Sequence, residues 1–147
     1  GSLLAIALVV RVRDNRRALH VIHAILIAGA LLTLMSTALF QLGVIGPATW
    51  MILVGLGLYL GYVPFNCVLF DRLIAALGKA ATAGFLIYVA DASGYLGSVA
   101  LLLYKSLGQP DLSWLEFFTY ASYAMGLVCT LCFFASGLWF KRHNASA

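Results

Sequence analysis

The sequence predicts an all-α membrane protein, a polytopic bundle of four transmembrane helices that follow the end of a truncated helix. Of the 147 residues, 63% are hydrophobic and only 10% are charged, which is too little charge to cover the surface of a soluble domain. The apolar residues form four long blocks, each longer than the roughly 20 residues of helix that cross a bilayer. A single span must satisfy its own backbone hydrogen bonds in lipid, so each block is predicted to be helical. The blocks cover residues 19–42, 49–70, 83–104 and 117–140.

Residues 1–10 are apolar but too short to span a membrane, and arginines follow them instead of preceding them. A secretory signal peptide has the opposite order of charge. We therefore expect residues 1–10 to be the end of a truncated helix. The whole chain, 1–147, is interpreted as a single membrane domain and a fragment of a larger protein.

The connections between the spans carry turn and capping residues. Pro47 fits the opening turn of the second span, and residues 71–77 are expected to continue that span as an interfacial helix that ends at Gly78. Asp111 or Ser113 is the predicted cap of the fourth span. Tryptophans favour the headgroup region, so three of them are predicted to lie at membrane interfaces: Trp50, Trp114 and Trp139.

The basic residues are distributed unevenly between the two sides of the predicted bundle. Eight of the nine Lys and Arg residues lie in residues 11–17, in residues 71–82 or after the fourth span, and Lys105 alone lies on the other side. Loops rich in Lys and Arg stay in the cytoplasm. We therefore predict an integral protein of the bacterial inner membrane with a cytoplasmic C-terminus. The basic residues are topology signals, and we expect no nucleic-acid binding.

Asp91 lies near the middle of the third span, where an ionised carboxylate costs about 3 kcal/mol in insertion measurements. We therefore expect its side chain to face protein or water. Helical spacing places it on one stripe with three further polar residues, which are Tyr88, Tyr95 and Ser98. Two functions fit this stripe: a structural hydrogen bond that joins two helices, or the binding of a solute, an ion or a proton.

The second span carries a matching polar stripe that contains Tyr59, Tyr62 and Asn66. We expect the two stripes to meet in one polar seam between the second and third spans. Pro64 cannot donate a backbone hydrogen bond and is predicted to bend the second span. Glycines on both spans permit close packing or hinge motion, and these are Gly57, Gly61, Gly94 and Gly97.

The sequence contains no arrangement typical of an enzyme, such as a catalytic triad spacing or a phosphate-binding loop. His20 and His23 lie three residues apart, but no third metal ligand is near, so interfacial hydrogen bonding is the favoured interpretation. Cys129 and Cys132 are expected to stay protonated inside the membrane. We predict no catalytic residues, no metal site and no cofactor.

The strings YLGYVPFNCVLFDRLIA and FLIYVADASGYLGS, with four spans that end inside, resemble the C-terminal part of a major facilitator superfamily transporter from a bacterial branch. The resemblance implies that residues 1–10 end helix eight and that the spans are helices nine to twelve. In that superfamily helices ten and eleven line the central cavity, and these correspond to the second and third spans. The cytoplasmic loop motif is matched by Asp14, Arg16 and Arg17, although its glycine is missing and Asn15 replaces an arginine.

The leading hypothesis is a half-bundle of a secondary active transporter that moves a small solute by alternating access. In this hypothesis Asp91 binds a coupling proton or a cationic group, Asn66 and the tyrosines line the pathway, and Pro64 helps the helix to bend. The expected partners are the lipid bilayer, the N-terminal half of the same protein and an unknown small solute. The alternative is a multi-pass scaffold or interaction subunit that transports nothing.

Overall fold

The structure is a computed structural model that describes residues 14–77, 82–108 and 111–144. These residues form α-helices and two short π-helical segments, without a strand, and so confirm the predicted all-α class. The α-helices are α1 (Asn15–Gln41), α2 (Pro47–Pro64), α3 (Phe70–Leu77), α4 (Ala83–Leu103) and α5 (Trp114–Asn144). The π-helical segments are Phe65–Leu69 after α2 and Tyr104–Gly108 after α4.

Four stretches of the described chain are helical, long and apolar enough to cross a membrane, and the protein is an integral membrane protein. Each overlaps one predicted block, but the second and third run further because their helices continue through the π-helical segments. The predicted truncated helix at residues 1–10 and the stop at Gly78 lie outside the described residues. The spans are Arg17–Gln41, Pro47–Ala75, Ala83–Gly108 and Trp114–Trp139.

Helix α1 is the centre of the bundle, because it packs along both α2 and α5, which run antiparallel to it. We call the end where α1 begins the proximal end and the opposite end the distal end. At the proximal end, three buried residues of α1 form a small core: Ala18, Ile22 and Leu26. Phe65, Val68 and Leu69 of the first π-helical segment and Phe133 of α5 pack around this core. The extension of the second span beyond Pro64 therefore serves to cover α1.

The backbones of α1 and α2 meet closely halfway along the bundle. A Cβ atom added to Gly57 would lie 2.5 Å from the hydroxyl oxygen of Thr33 and 2.7 Å from the carbonyl oxygen of Gly29. A Cβ added to Gly29 would in turn lie 2.6 Å from the carbonyl oxygen of Gly57. Small residues permit such contacts in membranes, where helix association depends on van der Waals packing. The partner of Gly57 is therefore Gly29 on α1, whereas a Cβ at Gly61 would meet open space.

Trp50 anchors the distal end of the bundle. Its ring is 1% exposed and stacks on Phe40 with a centroid distance of 4.2 Å, while Phe118 of α5 meets it edge-on at 5.5 Å. The indole Nε1 donates a hydrogen bond to the hydroxyl of Thr37 over 3.2 Å. The ring of Trp50 is therefore enclosed within the bundle, where a neighbouring helix supplies the partner that its N–H requires. Its position at a membrane interface stays a prediction.

Helix α4 stands apart from the other spans. It packs against α3, and none of its residues is buried. Its distal end is held by Lys105, which is buried and places its Nζ 5.1 Å from the centre of the Trp114 ring in a cation–π contact. A capping box starts α5: the Ser113 hydroxyl accepts from the Glu116 N–H at 3.2 Å, and the Glu116 carboxylate accepts from the Ser113 N–H at 3.1 Å. Ser113 is thus the cap, one of the two predicted alternatives.

Candidate functional site

A groove of about 680 Å³ runs between α1, α2 and α5, and we call it the tyrosine groove. Its lining is mostly apolar, but two predicted pathway residues on α2, Tyr59 and Tyr62, line it and remain more than half exposed. Gly57, which packs against Gly29 of α1, is also one of its lining residues. Other lining side chains are Thr33, Phe65, Met125 and Cys129.

The second span changes from an α-helix to a π-helical segment directly after Pro64. Pro64 is buried and has no backbone N–H, so the regular ladder of hydrogen bonds is interrupted at this point. The next residue, Phe65, donates its N–H to the carbonyl oxygens of Gly61 and Tyr62. Single π-helical turns within helices frequently occur at functional sites. The predicted bend at Pro64 thus takes the form of a local widening of the helix.

Asn66 lies in that π-helical segment, four residues after Tyr62. Asn66 as a whole is half-buried, but its side-chain oxygen Oδ1 is buried and has no hydrogen-bond partner among the residues that the structure describes. A buried polar atom without a partner costs about 1–3 kcal/mol, so such atoms are rare in native structures. Four residues of helix place Asn66 on the same side of the chain as Tyr62. The unsatisfied oxygen therefore lies one turn beyond the tyrosines of the groove.

Asp91 is half-buried on α4, and no hydrogen bond or ion pair reaches it from the described part of the chain. Its predicted neighbours on the stripe are exposed, with Tyr88 at 80%. Ser98 donates its hydroxyl to the carbonyl oxygen of Gly94 in the preceding turn over 2.9 Å. Ser98 is thus satisfied within its own helix and needs no partner on another span.

The predicted polar seam between the second and third spans does not form among the described residues, because α4 packs against α3 and not along α2. Tyr59 and Tyr62 therefore line one groove, whereas Asp91 and the remaining stripe residues of α4 lie on a separate helix. Spacing along a helix shows which residues share a face, but it does not show which helix covers that face. The expected close packing at Gly94 and Gly97 is also absent, since a Cβ at either position would meet open space.

The predicted loop motif lies at the proximal end of α1. Asp14 and Arg17 form an exposed ion pair with a distance of 3.7 Å, and the side chain of Arg16 lies outside the described residues. Arg72 of α3 donates a hydrogen bond to the side-chain oxygen of Asn15 over 2.6 Å. This bond fastens the extension of the second span to the start of the first. The residue that departs from the superfamily motif, Asn15, is thus the one that joins two spans.

Sequence reasoning missed a polar contact between α1 and α5. His23 is 7% exposed, and its Nε2 lies 3.0 Å from the hydroxyl oxygen of Ser136. The sequence HVIH drew attention to His23, but no local pattern singles out Ser136, which is 113 residues away. Within the described side chains, no group of three His, Cys, Asp or Glu residues is close enough to hold a metal ion.

A family comparison covers almost the whole chain. The family model of DUF5690, described as a family of unknown function, matches residues 2–143. The chain belongs to DUF5690. The tyrosine groove, the π-helical segment with Asn66 and the separate helix α4 are thus features of a DUF5690 member. Neither the curated proteins nor the solved structures contain a match to this DUF5690 chain.

Proposed function

We propose that this DUF5690 chain forms the C-terminal half-bundle of a secondary active transporter, which moves a small solute across a bacterial inner membrane by alternating access. The resemblance of residues 59–75 and 85–98 to a major facilitator superfamily transporter supports this proposal. The concentration of eight of nine basic residues on one side supports a cytoplasmic C-terminus. The N-terminal half of the same protein is the partner that completes the pathway.

The observation that carries the proposal is the buried Oδ1 of Asn66, which has no hydrogen-bond partner among the described residues and directly follows Phe65, a lining residue of the tyrosine groove. An apolar residue at this position would avoid the cost of burying an unpaired amide oxygen. A transported solute that donates a hydrogen bond would satisfy the oxygen only while it is bound. Transporters commonly place such interrupted helices at their substrate sites.

The chemistry of the tyrosine groove indicates the class of solute. Its volume of about 680 Å³ suits a small molecule, since ligand sites commonly enclose about 300–1,000 Å³. Phe65, Met125 and the rings of Tyr59 and Tyr62 favour an apolar or aromatic body. Asn66 favours an amine or a hydroxyl group at one end. The solute is therefore an amphipathic molecule with a hydrogen-bond donor.

Asp91 supplies the coupling function in this proposal. A carboxylate within a span is costly unless it is protonated or paired with a cation. Asp91 has no hydrogen-bond or ion-pair partner among the described residues, so it remains available to a proton or to a cationic group. Its helix, α4, packs mainly against α3 and is free to face the N-terminal half. Tyr88 and Tyr95 of α4 are then exposed to the pathway.

A thermal-shift screen on the full-length protein tests solute binding. We expect an amine- or hydroxyl-bearing solute to raise the melting temperature, because ligand at about 100 times its Kd adds about 2.7 kcal/mol. Asn66→Leu is expected to weaken binding of that solute about tenfold or more, since a hydrogen bond to a charged donor contributes about 1.5–3 kcal/mol. The same change is expected to stabilise the ligand-free protein, because it removes the unsatisfied oxygen.

The matched control for Asn66→Leu is Met51→Leu, at an exposed position of α2 outside the tyrosine groove. It is expected to leave the thermal shift unchanged. The groove is not a solute site if no solute in the screen shifts the melting temperature. The same conclusion follows if Asn66→Leu binds the solute as tightly as the wild type.

Proton coupling is tested in proteoliposomes that contain a pH-sensitive dye. With the solute found in the screen, the wild type is expected to move protons across the membrane, and Asp91→Asn is expected to reduce this flux to the background. Asp111→Asn makes the same chemical change in an exposed loop and is expected to keep the full flux. Unchanged solute uptake with unchanged pH dependence in Asp91→Asn, at normal expression, removes Asp91 from the mechanism.

A non-transporting scaffold or interaction subunit is the second candidate, and the lack of any buried residue in α4 favours it. A Cβ at Gly94 meets open space, so Gly94→Leu leaves the packing of this chain intact. In the scaffold function, Gly94→Leu is expected to prevent association with a partner protein, and Asp91→Asn is expected to have no effect. Co-purification of the two variants from membranes distinguishes the scaffold from the transporter.

A further inference from the structure

Arg72 and Asn15 form a polar contact at the proximal end of the bundle. The Nη1 of Arg72 donates a hydrogen bond to the side-chain oxygen Oδ1 of Asn15 over 2.6 Å. Both residues are half-buried, and the bond joins α3 to the start of α1. The bond therefore holds the guanidinium of Arg72 in a fixed position where two spans meet.

The guanidinium of Arg72 keeps most of its hydrogen-bonding capacity and all of its charge. An arginine carries five N–H donors, and Asn15 takes one of them. No second hydrogen bond and no ion pair reaches Arg72 from the described residues. Because the amide of Asn15 is neutral, it orients the guanidinium without neutralising the positive charge. The group is thus positioned to receive an anion.

The contact lies at the depth of the lipid headgroups. Arg17 is the first residue of the first span, and Arg72 lies three residues before Ala75, the last residue of the second span. These spans contain 25 and 29 residues, which is more than the roughly 20 that cross the hydrocarbon core. Arginines at the ends of spans extend their charged groups towards the headgroups. An anion at Arg72 therefore lies at the level of the lipid phosphates.

Arg17 supplies a second guanidinium at the start of α1. It is exposed, and its Nε lies 3.7 Å from a carboxylate oxygen of Asp14. Exposed ion pairs of this kind contribute little to stability. A phosphate group can therefore compete with Asp14 for Arg17.

The charge of the proximal end favours an anionic lipid over a zwitterionic one. By sequence, eight of the nine Lys and Arg residues belong to this end, and its acidic residues are Asp14 and Asp71. Basic sites between membrane helices bind acidic headgroups. A zwitterionic headgroup would bring a further cation into a region that is already positive. Arginine also suits phosphate, because its planar fork donates two parallel N–H groups to two oxygens.

We infer that the contact between Arg72 and Asn15 forms a binding site for the phosphate of an anionic glycerophospholipid. Arg72 binds the phosphate with its remaining N–H groups, Arg17 adds a second positive charge, and Asn15 holds Arg72 in place. The acyl chains of the lipid remain in the bilayer. The site is separate from the tyrosine groove and does not depend on the proposed transport function.

Native mass spectrometry of the full-length protein tests the site. The protein in a neutral detergent is titrated with phosphatidylglycerol and, separately, with phosphatidylcholine of the same acyl chains. The Kd of the first bound lipid is read from the spectra, and we expect phosphatidylglycerol to bind more tightly. Arg72→Gln is expected to weaken the binding of phosphatidylglycerol about tenfold, since it removes a charge-assisted hydrogen bond to the phosphate.

Variants of Asn15 and Arg72 separate a positioned guanidinium from diffuse attraction. Asn15→Asp keeps an acceptor for Arg72 but neutralises its charge, and it is expected to weaken the binding of phosphatidylglycerol about fivefold. Arg72→Lys keeps the charge but loses the fork, so we expect an affinity between those of the wild type and Arg72→Gln.

Thr82→Asp is the matched control for Asn15→Asp. It adds the same negative charge at the start of α4, also at the proximal end, where Thr82 is exposed and makes no side-chain cap hydrogen bond. We expect it to change the Kd by less than about twofold, because solvent and salt screen exposed charges. Circular dichroism checks the helicity of every variant, and Asn15→Asp carries the test if Arg72→Gln does not fold.

Four results would overturn the inference. Phosphatidylglycerol and phosphatidylcholine could bind equally well, or folded Arg72→Gln could bind phosphatidylglycerol as tightly as the wild type. Equal weakening by Thr82→Asp and Asn15→Asp would reduce the attraction to net charge. Displacement of phosphatidylglycerol by an excess of inorganic phosphate would show a site for a soluble anion instead of a lipid.

Discussion

Replacement of Trp50 by alanine is expected to lower the free energy of unfolding by about 3 kcal/mol. The ring of Trp50 is enclosed by Phe40 and Phe118, and its N–H bonds to Thr37, so alanine leaves a cavity where three helices meet. Comparable substitutions in soluble cores cost about 3–5 kcal/mol. We expect a cost at the lower end of this range, because lipid tails are as apolar as the core and replace part of the lost contacts.

The control for this prediction is Trp114→Ala. Trp114 is 61% exposed and contacts Phe117 and Lys105 at the start of α5. Its loss is expected to cost about 1 kcal/mol or less, in line with the value of an exposed cation–π contact. Both variants are compared by denaturant-induced unfolding in mixed micelles, with helicity as the signal. Equal costs for the two tryptophans would contradict the central position assigned to Trp50.

Replacement of Gly57 is also expected to lower the free energy of unfolding by a large amount. The added Cβ would lie within 2.7 Å of the carbonyl oxygen of Gly29, which belongs to the backbone and cannot rotate away. Helices α1 and α2 must therefore separate. Gly57→Ala is expected to cost about 1–3 kcal/mol, the usual range for overpacking. The larger side chain of Gly57→Leu is expected to cost more than this range and to abolish the packing of α2 on α1.

Gly61→Ala is the matched control, because it lies one turn further along α2 and its Cβ would meet open space. Alanine stabilises a helix by up to about 1 kcal/mol relative to glycine. The same substitution is thus expected to destabilise at Gly57 and to be neutral or stabilising at Gly61. The unfolding assay used for Trp50 detects an increase as well as a decrease in the free energy of unfolding. Destabilisation of equal size at both positions would show that the contact with Gly29 is not decisive.

The groove and the separate helix α4 show how far sequence patterns lead towards a site. The stripe of Tyr59, Tyr62 and Asn66 was recognisable because residues three and four apart share one face of a helix. The pairing of that stripe with Asp91 was wrong for the described residues, because many helix arrangements satisfy the same stripes. The contact between His23 and Ser136 joins residues 113 positions apart, and no local pattern encodes it.

The sequence alone determined that this chain is helical and spans a membrane, because lipid leaves the backbone no hydrogen-bond partners outside a helix or a closed barrel. It also determined the approximate ends of the spans, which follow from the thickness of the bilayer. Only the tertiary structure decided that α1 lies at the centre of the bundle, that Gly29 packs against Gly57, and that Trp50 is enclosed by protein. In lipid, all apolar faces are nearly equivalent, so the choice among them depends on the fit of backbones and side chains.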